Sequence, residues 1–253
     1  PISGTPSILG AGKLSTSTGT DKLVAFAGTD AYVYNSGTGN WDAQSRSYTA
    51  AQKFETENFL DLLFEVNGLT DVPESYNSSA WSTSTNVTDM PKAKYIRVGN
   101  GRIYLFNIAL LIGGNYASRV WFCDLPKNDT IAWDFESGTD LAQTASSKVV
   151  TSAGSVFKTR GIKSGDKIFI TTGSNAGEYT VDTVDSETQI TLTETLTNTQ
   201  SSKSFWVGGN WFDVERNNSD VGMGLGWNFN RLLCFKRHSV YKFQKTQDFA
   251  TDN

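Results

Sequence analysis

The residues of this chain that could carry chemistry are few and dispersed, so each is weighed against the strand or turn it sits in. Gly10-Ala11-Gly12-Lys13-Leu14-Ser15 hints at a phosphate-binding loop. Such a loop needs a further glycine upstream and a hydroxyl residue directly after the lysine, so that backbone amides and an oxygen reach phosphate and magnesium. Those places hold Ser7 and Leu14, and the segment reads instead as a flexible N-terminal arm. The single histidine, His238, falls in a turn between Arg237 and Ser239, the setting of a solvated residue rather than a general base. Asp61 and Glu65 could supply the paired carboxylates of a glycosidase, which flank the bond to be cut. Leu60, Leu62, Phe64 and Val66 alternate with them, so both acids are expected on the solvent side of one half-buried strand, as a solubilising face.

The other candidates weaken in the same way. Asp124-Leu125-Pro126-Lys127-Asn128-Asp129 offers oxygens to calcium but lacks the regular acid spacing of a calcium loop. Cys123 and Cys234 lie far apart in apolar runs, without metal-ligand spacing, and read as small buried hydrophobes. An Asp-box, the Asp-x-Gly-x-x-Trp-like signature of sialidase-type propellers, is absent before two tryptophans. Ser36 and Thr38 stand before Trp41, and Tyr76 and Ser78 before Trp81. No catalytic, cofactor-binding or metal-binding residue is assigned, and the chain is read as no enzyme.

The elements that would have to position such residues are more informative. Trp41 and Trp81, forty positions apart, each close the same local phrase of short strands and a polar turn. In the first copy the strands Lys22 to Gly28 and Ala31 to Asn35 lead through Ser36-Gly37-Thr38-Gly39-Asn40 to Trp41. In the second, Leu60 to Val66 and a segment to Tyr76 lead through Asn77-Ser78-Ser79-Ala80 to Trp81. A period near 40 with hairpins inside it is the signature of propeller blades. A third copy holds the hairpin Tyr95 to Val98 and Arg102 to Asn107 across Gly99-Asn100-Gly101, then Arg119 to Pro126 and Trp133-Asp134. Trp133 is thereby placed in the position of Trp41 and Trp81, and the three are read as the structural core of the repeat. A fourth copy begins at Asn230-Arg231-Leu232-Leu233-Cys234-Phe235 and returns along Ser239 to Phe243. Trp206, Trp211 and Trp227 are less patterned and are read as candidate partner contacts.

Between the third and fourth copies the texture changes to Thr, Ser and Val. Five or six short strands there suit a small β-barrel inserted in a blade loop. The expected organisation is an N-terminal arm over 1–20, propeller-type blades over 21–141, an inserted small β-barrel over 142–207 and a further blade over 208–253. The fold class is all-β, with the propeller incomplete or completed by other chains. Pro1 at the start, and Asn253 just after a strand, suggest ends that are cut or processed. A net charge of −4 argues against a general nucleic-acid surface. The aliphatic run Ile108 to Ile112 is too short to span a membrane.

Two motifs carry a resemblance. Ser118-Arg119-Val120-Trp121-Phe122-Cys123-Asp124-Leu125-Pro126 with Trp133-Asp134 is similar to a blade of tailed-bacteriophage tail structural proteins. Asn230 to Lys236 with Ser239-Val240-Tyr241 resembles another blade of the same family. The inserted segment, with Gly165-Asp166 and Asn175 to Val181, resembles small β-modules of phage virion proteins. The resemblance implies a virion protein, a hub, ring or nozzle subunit of a short-tailed phage, assembled in the bacterial host cytoplasm. It also implies partners: copies of itself in a symmetric ring, other tail or portal-proximal proteins, and DNA passing in ejection without tight binding. The rival expectation is a carbohydrate- or receptor-binding tail module.

Overall fold

The computed structural model describes residues 2, 4, 6–84, 86–110, 114–133, 135–215, 220–229 and 231–244. Asp134, Asn230 and the Leu111-Ile112 end of the aliphatic run therefore lie outside the described residues, as do 245–253. The fold is all-β: blade-like antiparallel sheets and one small closed barrel, with no helix among the described residues.

The first sheet runs β1 (Ile8–Ser15), β2 (Asp21–Ala27), β3 (Asp30–Asn35) and β4 (Asn40–Ala43) in sequence order. Residues 8–15, expected in a flexible arm, are thus a paired strand, with Gly12 opposite Val24 and Leu14 opposite Lys22. The glycines that hinted at a phosphate loop serve close packing. A Cβ on Gly10 would meet Phe54 Cβ at 2.6 Å, and one on Gly12 would meet Thr56 Oγ1 at 2.5 Å.

The second sheet is β5 (Glu55–Phe59), β6 (Leu62–Val66), β7 (Glu74–Tyr76) and β8 (Trp81–Ser82). Leu60 and Asp61, expected inside a strand, are instead a two-residue hairpin turn with φ of 50° and 59°. The phrase before each tryptophan is a turn built by asparagine. The Asn35 side-chain oxygen accepts from the Gly37 and Thr38 amides, and that of Asn77 from the Ser79 and Ala80 amides. Each such turn reverses the chain into the outer strand that carries the Trp.

The third sheet starts with β9 (Lys92–Gly99), β10 (Arg102–Leu110) and β11 (Gly114–Phe122). The sequence predicts a tight hairpin across Gly99-Asn100-Gly101; Gly99 pairs with Arg102, and Asn100 and Gly101, both with positive φ, make the turn. The chain then leaves to form the barrel: β12 (Phe135–Gln143), β13 (Ser147–Thr151), β14 (Lys167–Ile170), β15 (Gly177–Val184), β16 (Gln189–Leu196) and β17 (Gln200–Gly208). The barrel closes in the order β12-β13-β16-β15-β14-β17, and it begins at Phe135 rather than near 142. Only afterwards does β18 (Asn210–Asp213) pair with β11 as the outer strand of the third sheet. A last sheet, β19 (Gly222–Asn228), β20 (Arg231–Lys236) and β21 (Val240–Gln244), follows.

The sheets stack in a row. The first packs on the second through β1 with β5 and β6, the second on the third through β5 and β6 with β9, and the third on the last through β9 and β10 with β19. Separate apolar cores fill the three gaps and the barrel. An inner sheet is therefore covered on both faces, which is why Leu62-Leu63-Phe64-Glu65-Val66 is buried throughout.

Candidate functional site

Three consecutive residues of β17 explain how barrel and blades are joined. Phe205 and Val207 point into the barrel core, whereas Trp206, of opposite parity, belongs to the core between the second and third sheets. On the neighbouring strand β14, Ile168 and Ile170 likewise point inward and Phe169 outward. The Phe169 and Trp206 rings stack at 3.9 Å. Against them lies Arg119 of β11, fully buried, its guanidinium sandwiched between Trp211 at 3.6 Å and Tyr116 at 4.0 Å. Arg119 donates two bonds to Asp213, at 2.8 and 2.9 Å, while its Nη1 has no hydrogen-bond partner. A buried bidentate pair between aromatic faces is a setting that suits arginine and not lysine. At the return into β18, Gly209 has φ +78° and lies so close to the Trp121 ring that a Cβ would sit 1.8 Å from it.

The opposite face of the third sheet opens on a cleft of about 450 Å³ between the third and last sheets. Tyr104, Phe122 and Phe212 line one wall, with Trp227, Leu232 and Phe243 on the other. Strand alternation accounts for this: Tyr104 pairs with Phe122 across β10 and β11, so their side chains share a face. Trp227 packs closely on Gly99, where a Cβ would come within 2.0 Å of the ring. Asn100 and Arg102, from the β9–β10 hairpin, stand at one end, and Trp211 with Asp213 completes the lining. Arg102 is held by the Cys123 carbonyl at 2.8 Å and Asp124 at 3.3 Å. Burial pushes the Tyr104 hydroxyl up, with Arg102 pulling the other way, so it stays a neutral donor at pH 7. A wall of rings with a fixed cation and a few polar groups can stack flat or C–H-rich ligands and orient them by hydrogen bonds.

Trp81 stacks on Tyr76 at 4.9 Å and meets Phe26 of the first sheet edge-on at 5.8 Å. Trp41 packs on Tyr34 at 5.5 Å and is half-buried. Trp133 is buried but does not hold their position: it follows β11, donating toward the Asn86 carbonyl at 3.4 Å. The equivalent outer-strand residue is Trp211, because the inserted barrel displaces the fourth strand of the third sheet by the length of the barrel. Trp206, expected as a partner contact, is fully buried. Trp211 and Trp227 are half-buried at the cleft.

Glu65, expected on a solvent face, is fully buried opposite Glu74 across β6 and β7. Glu74 is taken by Arg46, which donates from Nε at 3.0 Å and also from Nη2, and by the Tyr48 hydroxyl at 2.7 Å. Neither Glu65 oxygen has a hydrogen-bond partner of good geometry. Burial first, then the facing Glu74 carboxylate, hold its pKa well above the ordinary range. The signal lay in the apolar residues at both parities around it, which mark a strand covered on two sides. His238 lies near Asp220 and Ser239, but Asp220 accepts from the His238 backbone amide and the Ser239 hydroxyl, a turn contact rather than a proton relay. Asp124, in the segment considered for calcium, bonds Arg102 and the Asn210 amide. Cys123 and Cys234 are free and buried, their thiols pushed up by burial to about 11 and about 12.

No family model matches the chain, and no curated protein matches it. Among solved structures it is similar to the phage phi92 endosialidase, at 13% identity and a TM-score of 0.24, over 70% of this chain and 32% of that one. The chain thus spans about a third of that protein's length, and a likeness at this level says nothing of what the chain does.

Proposed function

We propose that the chain is a structural subunit of a tailed-phage tail, of the hub, ring or nozzle kind, and that it performs no catalysis. The observation that carries the reading is the joint at Trp206, Phe169 and Arg119, which fuses a barrel to a row of blades through one aromatic core. Such a joint suits a part that must hold neighbours at fixed positions. The motifs that resemble phage tail proteins fall on β11 and on β20 with β21, the strands that face one another across the cleft. A net charge of −4 suits a channel wall that passes DNA without holding its phosphates.

Electron microscopy of the particle or assembly containing this chain tests the reading. A closed ring of copies around an axial channel is expected. Copies projecting singly or in trimers from the periphery would overturn it.

The aromatic cleft favours a second reading, a carbohydrate- or receptor-binding tail module. Its test is glycan-array binding by the chain beside Trp227→Ala. Binding lost in the variant supports the second reading, and an array without signal removes it.

A further inference from the structure

We propose that the free face of the first sheet is the docking surface for the free face of the last sheet of a second copy. The inference rests on reading the chain as a self-assembling subunit, and it names the surfaces.

The observation is where apolar surface remains. Among the described residues, every exposed large hydrophobic within a strand lies on one of the two end sheets: Ile8 and Leu23 on the first, and Met223, Phe235 and Val240 on the last. Their exposures run from 37% to 60%. The inner sheets leave none, because each is covered on both sides. On the first sheet, Leu23, Tyr32, Tyr34 and Trp41 share the parity turned away from the second sheet. On the last, Leu233, Phe235 and Val240 share the parity turned away from the third, and exposed Met223 lies at the bulge beside Gly224.

The repeat itself says what belongs on the first face. Trp81 and Trp211 occupy the outer strands of the second and third sheets, on the parity that faces the preceding sheet. Trp81 reaches Phe26 of that preceding sheet. Trp41 has the same place and parity on the first sheet, so the chemistry suited to cover it is another blade-type sheet. The last sheet offers one whose free face would stand in the preceding place.

Charge favours the match. Residues 222–244 contain Arg231, Lys236, Arg237 and Lys242 and no acid. Arg231 and Lys242 are exposed on the same parity as Phe235. The first face presents the Tyr32, Tyr34 and Trp41 rings, partners for cations, while its Asp21 is paired with Lys13 of the same face at 2.7 Å. Contact of unlike faces is heterologous, so it propagates from copy to copy and closes as a ring where the rotation allows.

Sedimentation of the chain across micromolar concentrations is the test, with two variants. One carries Phe235→Glu and Val240→Glu, the other Leu23→Glu and Tyr34→Glu, each checked for folding by circular dichroism. Association of the unaltered chain, monomeric behaviour of each variant alone and a one-to-one complex on mixing them are expected. Only an unlike-face contact gives that complementation. A chain monomeric throughout, or association that survives either variant, overturns the proposal. Should a variant fail to fold, Trp41→Cys and Phe235→Cys copies are mixed with a bifunctional thiol reagent, the native cysteines being buried. Cross-linked product in the mixture and not in either variant alone is expected, and its absence overturns the proposal. A ring seen by microscopy with different faces in contact would leave the tail reading standing and sink this one.

Discussion

At Glu65 a carboxylate is buried with no good hydrogen bond, directly across from Glu74, whose own oxygens are taken by Arg46 and Tyr48. Its folded-state pKa lies well above the ordinary 4.5, so the folded chain keeps a proton that the unfolded chain has lost. This contribution to stability is fully present below about 4.5 and is lost as pH rises through the folded pKa. Glu65→Gln removes the titration while keeping the shape. The variant is expected to be more stable than the parent at pH 8, by about 1–3 kcal/mol, with the difference shrinking toward pH 4; urea midpoints across that range measure it. Arg119 shows the opposite asymmetry. Asp213→Ala leaves its guanidinium buried without its carboxylate and is expected to cost about 3–5 kcal/mol, whereas Arg119→Met, which removes the charge itself, costs less. Equal losses in the two variants, read from denaturant unfolding, would contradict this account.

Among the elements, strand parity decides function more than strand existence. On β17, Phe205 and Val207 fill the barrel while Trp206 fills the blade core, so the strand is a shared wall. Trp206→Ala is expected to cost about 3–5 kcal/mol and to split one calorimetric transition into two, as barrel and blades lose their common core. A single transition in the variant would mean that the joint is held elsewhere. Gly99 is the matching case at the cleft: Gly99→Ala forces Trp227 off the third sheet. Overpacking of this kind costs about 1–3 kcal/mol, and tryptophan fluorescence is expected to shift to longer wavelength as the ring gains water. An unshifted spectrum would place the strain on Gly99's own backbone.

For the whole molecule, much of the architecture was legible in local chemistry. The Asn100-Gly101 turn, the asparagine turns before Trp41 and Trp81, and the Thr/Ser/Val texture of the insert are all short-range signals, and each marks a real hairpin or strand set. What misled was the assumption of one covered face. Alternation in Leu60 to Val66 assigned Glu65 to solvent because a lone strand cannot report the sheet on its other side. The first strand was missed because its glycines look like a mobile loop until Phe54 and Thr56 are brought against them.

The sequence by itself determined an all-β chain of blade-like hairpins with an inserted barrel, because turn chemistry and period-two patterning act over a few residues. Tertiary structure alone decided that Trp211 rather than Trp133 completes the third blade, since the pairing of β11 with β18 spans the whole barrel. It alone decided that Trp206 is core, that Arg119 and Asp213 are partners, and that the two end sheets keep apolar faces. Those facts depend on which surfaces meet across long stretches of chain, and no local pattern encodes a contact between residues that far apart.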